Sequence, residues 1–309
     1  MAGITYGLSP NAFKTALDKV FYQDYNLPPG PQVADARNTS VFRQEGADSA
    51  AVIMEVFKGV GLWEATNEQE EYKGDTPRIA NQITFTVSKY TKKFAVSEEA
   101  VEDDQVLLVK NAVAQMGEKG RITQNSNAMG LYRLAGTTTL TADGAALLSA
   151  SHLNLNGDTI DNTISGALTV ATLEEGINLL IVQKDQAGDI VGHEAKTMLV
   201  PPELFKEAVE ITESELLANS TDNNLNWISA KYGITLLQSP YLGAAASGGS
   251  ATRWFLLGAK HSNYRFTRIP METKLIPPEN EANGDTVYRG RFREVLGAID
   301  YQSTVGYET

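Results

Sequence analysis

The sequence predicts an α+β protein in which an extended, charged hairpin precedes one long helix and a compact mixed-sheet lobe. Three observations predict it. Ile83, Phe85 and Val87 alternate with Thr84 and Thr86, the period-two pattern of a half-buried strand. Val106, Val109, Val113 and Met116 recur at three- and four-residue steps, which is helical spacing. Beyond residue 170, helical and strand-like segments alternate, as they do in a mixed sheet with helices on its faces.

At the start of the chain, Ser9-Pro10 predicts a helix N-terminus, with Ser as N-cap and Pro at the first helical position. Phe13, Leu17, Val20 and Phe21 share one face, and Pro28-Pro29-Gly30-Pro31 stops the helix before Asn26. Residues 32–49 are polar and irregular, the composition of an extended arm that needs a surface to lie on. The short apolar segment 50–57 leads to Gly59 and Gly61, which allow a bend into the hairpin. Its first strand is placed at 60–72, where Leu62 and Trp63 give way to Glu64, Glu68, Glu70 and Glu71. Lys73-Gly74-Asp75-Thr76-Pro77 is the predicted tip turn. A ribbon with so few apolar residues is not stable alone, so it is expected to rest on a neighbouring subunit. After Ser88 the apolar positions change parity to Tyr90, Phe94 and Val96, which predicts a twist or bulge.

An acidic start containing Asp103 and Asp104 suits the positive end of the long helix. Its middle, 117–127, is polar and holds Gly117 and Gly120, and the apolar stripe resumes at Leu131 and Leu134. Such a helix is expected to lie across the back of a sheet, with the polar middle tolerant of substitution. Residues 137–166 read as loop. Leu173, Ile177, Leu180 and Ile181 then mark a helix, 197–200 a buried strand, and Pro201-Pro202-Glu203 the start of another helix. Strands are predicted at 227–237 and 254–257, separated by the small-residue loop 243–250. The remainder, 271–307, supplies strands broken at Pro277-Pro278 and Asn283-Gly284, expected to pair back beneath the long helix.

Three runs carry a family resemblance. Val96-Ser97-Glu98-Glu99-Ala100-Val101-Glu102-Asp103-Asp104 opens the long helix, which ends near Leu131-Tyr132-Arg133-Leu134-Ala135-Gly136. Asp143-Gly144-Ala145-Ala146-Leu147-Leu148-Ser149-Ala150-Ser151-His152-Leu153-Asn154 is similar to a run in Mu-like major head subunits, with Leu148 where Phe is more usual. Arg291-Phe292-Arg293-Glu294-Val295-Leu296-Gly297-Ala298-Ile299-Asp300-Tyr301 is similar to the closing strands of the same proteins. In order and spacing the chain resembles a tailed-phage major capsid protein of the Hong Kong 97 fold.

That resemblance implies an N-terminal arm over 1–58 and an extended hairpin loop over 59–97. It implies a peripheral domain with a spine helix over 98–140 and 265–309, and an axial domain over 141–264. It implies self-assembly through pentamers and hexamers into an icosahedral shell around phage DNA, assembled in the host bacterial cytoplasm and ending in the virion. Partners would be further copies of the chain, a separate scaffolding protein, a portal, decoration proteins and DNA contacted non-specifically. An encapsulin-like compartment shell shares the fold and is the alternative. Some capsids of this fold join a hairpin lysine to a neighbour's asparagine; Lys73 would be that lysine, and the sequence names neither the asparagine nor the acid. No long charged helix precedes residue 50, so no fused scaffold is expected.

Composition restricts other functions. Lys plus Arg total 26 against 38 Asp plus Glu, a net charge of −12, so the average surface repels phosphate and tight nucleic-acid binding is not expected. The chain has no cysteine, which removes disulfides, thiolate catalysis and thiolate metal sites. No apolar run approaches the roughly 20 residues of a membrane span, and Met1 to Tyr6 lack the features of a signal peptide. No nucleophile-elbow, P-loop or zincin motif is present, and Gly59-Val60-Gly61-Leu62-Trp63-Glu64 lacks the last glycine of a dinucleotide fingerprint. A soluble hydrolase built on Ser151 and His152 is the alternative of another class, but adjacent strand side chains point apart and no third group is indicated. The acidic run 98–104 lacks the alternation and central glycine of a calcium loop. No catalytic, cofactor or metal residue is therefore predicted. The expected intersubunit contacts are Trp63, Glu68, Glu70, Glu71, Lys73, Asp75, Arg78, Lys92 and Lys93, with Lys89, Lys92 and Lys93 also readable as a solvated strand face.

Overall fold

A computed structural model describes residues 10–30, 32–97, 106–215, 225–277 and 285–308. Ser9, the acidic run 98–104 and Asn283-Gly284 lie outside the described residues. In chain order the elements are α1 (Pro10–Tyr25), β1 (Arg43–Gly46), β2 (Ala51–Lys58), β3 (Arg78–Thr86), β4 (Ser88–Val96) and the long helix α2 (Val106–Arg133). Then come β5 (His152–Leu153), β6 (Thr159–Ile160), α3 (Val170–Val182), β7 (Ala195–Val200) and a 3₁₀ turn (Pro202–Leu204) that runs into α4 (Phe205–Thr212). The chain closes with α5 (Trp227–Lys231), β8 (Thr235–Gln238), β9 (Trp254–Gly258), β10 (Asn263–Ile276), β11 (Thr286–Ala298) and β12 (Thr304–Tyr307).

Two four-stranded sheets organise the molecule, in the orders β1-β10-β11-β4 and β12-β9-β7-β8. The first carries α1 and α2 on one face. Val109, Val113 and Met116 of α2 pack there with Leu17 and Phe21 of α1, Val96 of β4 and Tyr288 of β11. Contact between the helices is close because Gly117 faces α1 backbone, where an added Cβ would sit 2.4 Å from the Phe21 carbonyl oxygen. The glycine that thins the helix in sequence thus admits its neighbour.

The polar middle of α2 is not the solvated stretch its composition predicts. Gln124 and Asn125 are buried. Tyr25 donates its hydroxyl to Gln124 Oε1 at 2.7 Å, and the Ala36 N–H donates to Asn125 Oδ1 at 3.0 Å. Nearby, Arg265 forms a buried pair with Glu294, Nη2 to Oε2 at 2.6 Å and Nε to the same oxygen at 2.9 Å. Burial raises the Glu294 carboxyl even with that guanidinium beside it. Polar residues are stable here because each meets a partner.

The expected arm finds its surface within its own chain. Ala34, Ala36, Val41 and Phe42 are buried in a core shared with Met129 and Tyr132 of α2 and Phe255 of β9. β1 then adds parallel to β10, with Arg43 opposite Tyr264. The parity change near residue 88 is a change of sheet: β3 pairs with β2, the chain breaks at Val87, and β4 pairs with β11.

In the second lobe α3 begins with a capping box between Thr169 and Thr172 and buries Leu173, Ile177 and Leu180. The strand expected over 227–237 is only half strand. Asn226 caps α5 by accepting from the Ile228 and Ser229 N–H groups, and β8 follows at Thr235. The C-terminal strand departs further from expectation, because β12 pairs with β9 in the second sheet rather than beneath the long helix. It therefore ties the two lobes together.

Candidate assembly surface

β2 and β3 form an antiparallel ribbon from Ala51 opposite Thr86 to Lys58 opposite Arg78. The hairpin's first strand is thus β2, not residues 60–72. Val52, Met54, Val56 and Ile83 pack inward with Phe85 and Phe266, while Ile53, Phe57 and Ile79 are exposed on the other face. Between the strands, 59–77 runs out with no ladder pairing.

This excursion is held by side chains. The predicted turn at 73–77 is replaced by one at 67–70, where the Glu70 N–H donates to the Asn67 carbonyl at 3.1 Å and Gln69 has φ of 69°. Lys73 consequently lies after the tip. It pairs with Glu70 at 3.0 Å. The Asn67 N–H lowers the Glu70 carboxyl below its ordinary range, helped by Lys73. Asp75 joins the two legs, accepting from the Gly61 N–H at 2.6 Å and the Thr76 N–H at 2.7 Å, and those two bonds lower its pKa. The tip approaches its own chain near Ala187 and Asp189 across an open concavity. Lys58 Nζ reaches Asn156 Oδ1 at 3.4 Å.

Little of the tip's apolar surface is covered by that approach. Trp63 is 98% exposed, Tyr72 94% and Leu62 76%. These lie beside Glu68, Glu71 and the paired Glu70, all exposed. Single exposed apolar residues are ordinary, but several large ones on one projecting segment mark an interaction surface.

The structure separates the other expected contacts from the tip. Arg78 opens β3, whereas Lys92 and Lys93 lie on β4, the edge of the first sheet. Lys93 stands opposite Arg289, and Lys89 opposite Arg293. Sequence reasoning missed this partner row. The signal for it was the alternation Arg289, Arg291, Arg293. Arg291 pairs with Glu272, while Lys89, Lys92, Lys93 and Arg289 form no ion pair among the described residues.

The hydrolase reading meets a different geometry. His152 is buried, its Nδ1 lies 2.7 Å from Asp143 Oδ2, and its ring stacks on Tyr301 with centroids 4.2 Å apart. It is a core residue, not the polar loop residue its sequence context suggests. Ser151 is exposed and its hydroxyl meets that of Ser149 at 3.1 Å. A third group does exist in Asp143, yet no substrate can reach a ring with no exposed surface. Burial raises Asp143, but hydrogen bonds from His152 and Thr141 outweigh it and leave the carboxyl below its ordinary range.

A family model described as phage capsid protein matches residues 80–305. No curated protein matches the chain. Among solved structures, the capsid of cyanophage P-SCSP1u is similar with a TM-score of 0.56 at 9% identity, covering 91% of this chain and 90% of that one. The mature capsid of bacteriophage PhiM1 gives 0.56 at 12% identity, covering 91% and 89%. A virus-like particle from Pyrococcus furiosus gives 0.54 at 10% identity, covering 96% and 99%. At these identities the structural likeness speaks for the fold.

Proposed function

The chain belongs to the phage capsid protein family and has a Hong Kong 97-like fold; from this premise we propose how a major capsid protein of this construction assembles. It is a structural subunit of the phage head, and self-association into the shell is its function. The family match favours a genome-enclosing shell over an encapsulin-like compartment. In our reading, copies gather as pentamers and hexamers and close an icosahedral shell around DNA, with the second lobe, 141–264, at capsomer centres. The first sheet with α1 and α2 forms the peripheral body. Assembly takes place in the host bacterial cytoplasm, on a separate scaffolding protein and a portal, before the shell becomes part of the virion. A cysteine-free chain suits folding in that reducing compartment.

The observation that carries the assembly scheme is the hairpin, whose tip leaves its ladder at Lys58 and projects Trp63, Leu62 and Tyr72 into solvent. A segment that buries so little of itself gains stability by lying on another copy. Trp63, Glu68, Glu70, Glu71, Lys73, Asp75 and Arg78 then contribute across the subunit boundary, and Lys92 and Lys93 receive. Lys73 is a pairing residue for Glu70 in this scheme rather than a cross-linking one. Negative-stain electron microscopy of the purified protein tests the reading: closed shells or capsomers are expected, and a monomer at high concentration and moderate salt would refute it.

A further inference from the structure

An apolar cavity of about 330 Å³ lies between the two helices and the first sheet, and it opens at the β4 edge. Phe21, Met116, Met271, Tyr90 and Phe292 line it, the last two stacked with centroids 4.8 Å apart. Gly120 of α2 and Gly290 of β11 also face it, so backbone forms part of its walls. Lys92 and Lys119, with Thr91 and Thr123, supply the polar part of the lining, and both lysines are exposed. Lys89, Lys93 and Arg289 stand around the same edge. Neither Lys92 nor Lys119 has an ion pair among the described residues.

This arrangement asks for a large apolar group attached to negative charge. The volume sits at the lower end of the roughly 300–1,000 Å³ typical of small-molecule pockets, which suits one large side chain. Aromatic and thioether walls favour an aromatic occupant. The hairpin offers that combination: Trp63, almost wholly exposed, is followed by Glu64, Glu68, Glu70 and Glu71. Within its own chain the tip lies near Ala187 and Asp189, so a second copy must supply the occupant.

We infer that Trp63 of one subunit seats in the cavity between α1, α2 and β4 of the next, with its glutamates over Lys92 and Lys119. This rests on the reading of the hairpin as an intersubunit element and names the site that receives it. Trp63 is then the anchor of the contact, and the charge pairs set direction and register. Trp63→Ala is expected to raise the concentration needed for assembly at least roughly tenfold, since buried aromatic anchors dominate such contacts.

The absence of cysteine makes a direct test possible. Ala65→Cys combined with Thr91→Cys, both exposed and uncharged and Thr91 on the cavity rim, leaves Trp63 and the facing charges in place, and on mild oxidation of assembled shells should give a ladder of linked chains on a non-reducing denaturing gel. Ala65→Cys with Lys206→Cys, on the far lobe, should give none. Thr123→Phe, which fills the cavity from the α2 wall, should keep its circular dichroism and lose assembly. Shells that form without linkage to position 91, or normal shells from Thr123→Phe, would overturn the cavity assignment while the hairpin reading stands. Normal shells from a chain lacking the tip would instead remove the hairpin reading itself.

Discussion

Asp300 is a buried carboxyl whose environment gives stability a pH dependence. Burial pushes its carboxyl up to about 6 from an ordinary 3.8, with the Asp143 charge adding to the effect, while the Tyr301 N–H at 2.7 Å and Gln186 oppose it. A carboxyl with a raised folded pKa binds its proton more tightly in the native state. Its contribution is therefore fully favourable below about 3.8 and is lost as pH rises through about 6. At neutral pH the buried charge costs up to about 3 kcal/mol. Asp300→Asn keeps an acceptor for the Tyr301 N–H and removes the buried charge. It should melt higher than the parent at pH 7.5, with the difference vanishing by pH 4 in paired thermal scans. Burial raises the Glu294 carboxyl too, but here the substitution removes the compensating cation instead of the acid. Arg265→Met strands a buried carboxylate and should cost about 3–5 kcal/mol in denaturant unfolding.

At the scale of elements, the crossing of α1 over α2 depends on Gly117. Ala would improve helix propensity by about 1 kcal/mol. Its Cβ would also meet the Phe21 carbonyl at 2.4 Å, and backbone cannot yield as a flexible side chain does. The clash wins, and Gly117→Ala should destabilise by about 1–3 kcal/mol. Val113→Ala, at a fully buried position on the same helix, should cost about 1–3 kcal/mol through the space it leaves. Glu118→Ala, exposed one residue beyond Gly117, should stay within about 0.5 kcal/mol. Equal melting temperatures for all three would mean that the helices do not pack through this face.

For the whole molecule, folding and assembly are separable because the hairpin tip lies outside every ladder. Replacing 60–76 with a short Gly-Ser turn removes Trp63, Glu68, Glu70, Glu71, Lys73 and Asp75 while leaving Lys58 opposite Arg78. The variant should stay soluble with unchanged circular dichroism and form no closed shells by electron microscopy. Loss of the folded signal would place the tip in the subunit core.

The sequence by itself determined the elements whose signal is local. The alternation around Phe85, the buried face of α2 at Val109, Val113 and Met116, the Pro-terminated first helix and, in the second lobe, α3, β7, α4 and β9 were legible, because side-chain periodicity and turn chemistry act over a few residues; α5 stands where a strand was expected. The exposed, charged character of the hairpin tip was legible for the same reason. Only the tertiary structure decided which segments meet. It put Ala34, Ala36, Val41 and Phe42, from an otherwise polar stretch, into the core and buried Gln124 and Asn125 against partners about ninety residues or more away in sequence. It moved the hairpin's first strand to β2 and its turn to 67–70, and sent β12 to the second sheet. It also brought Lys92 and Lys119 to one cavity mouth. A buried polar group is stable only where its partner is, and a strand pairs only with the edge left open to it, so both outcomes are properties of the assembled chain.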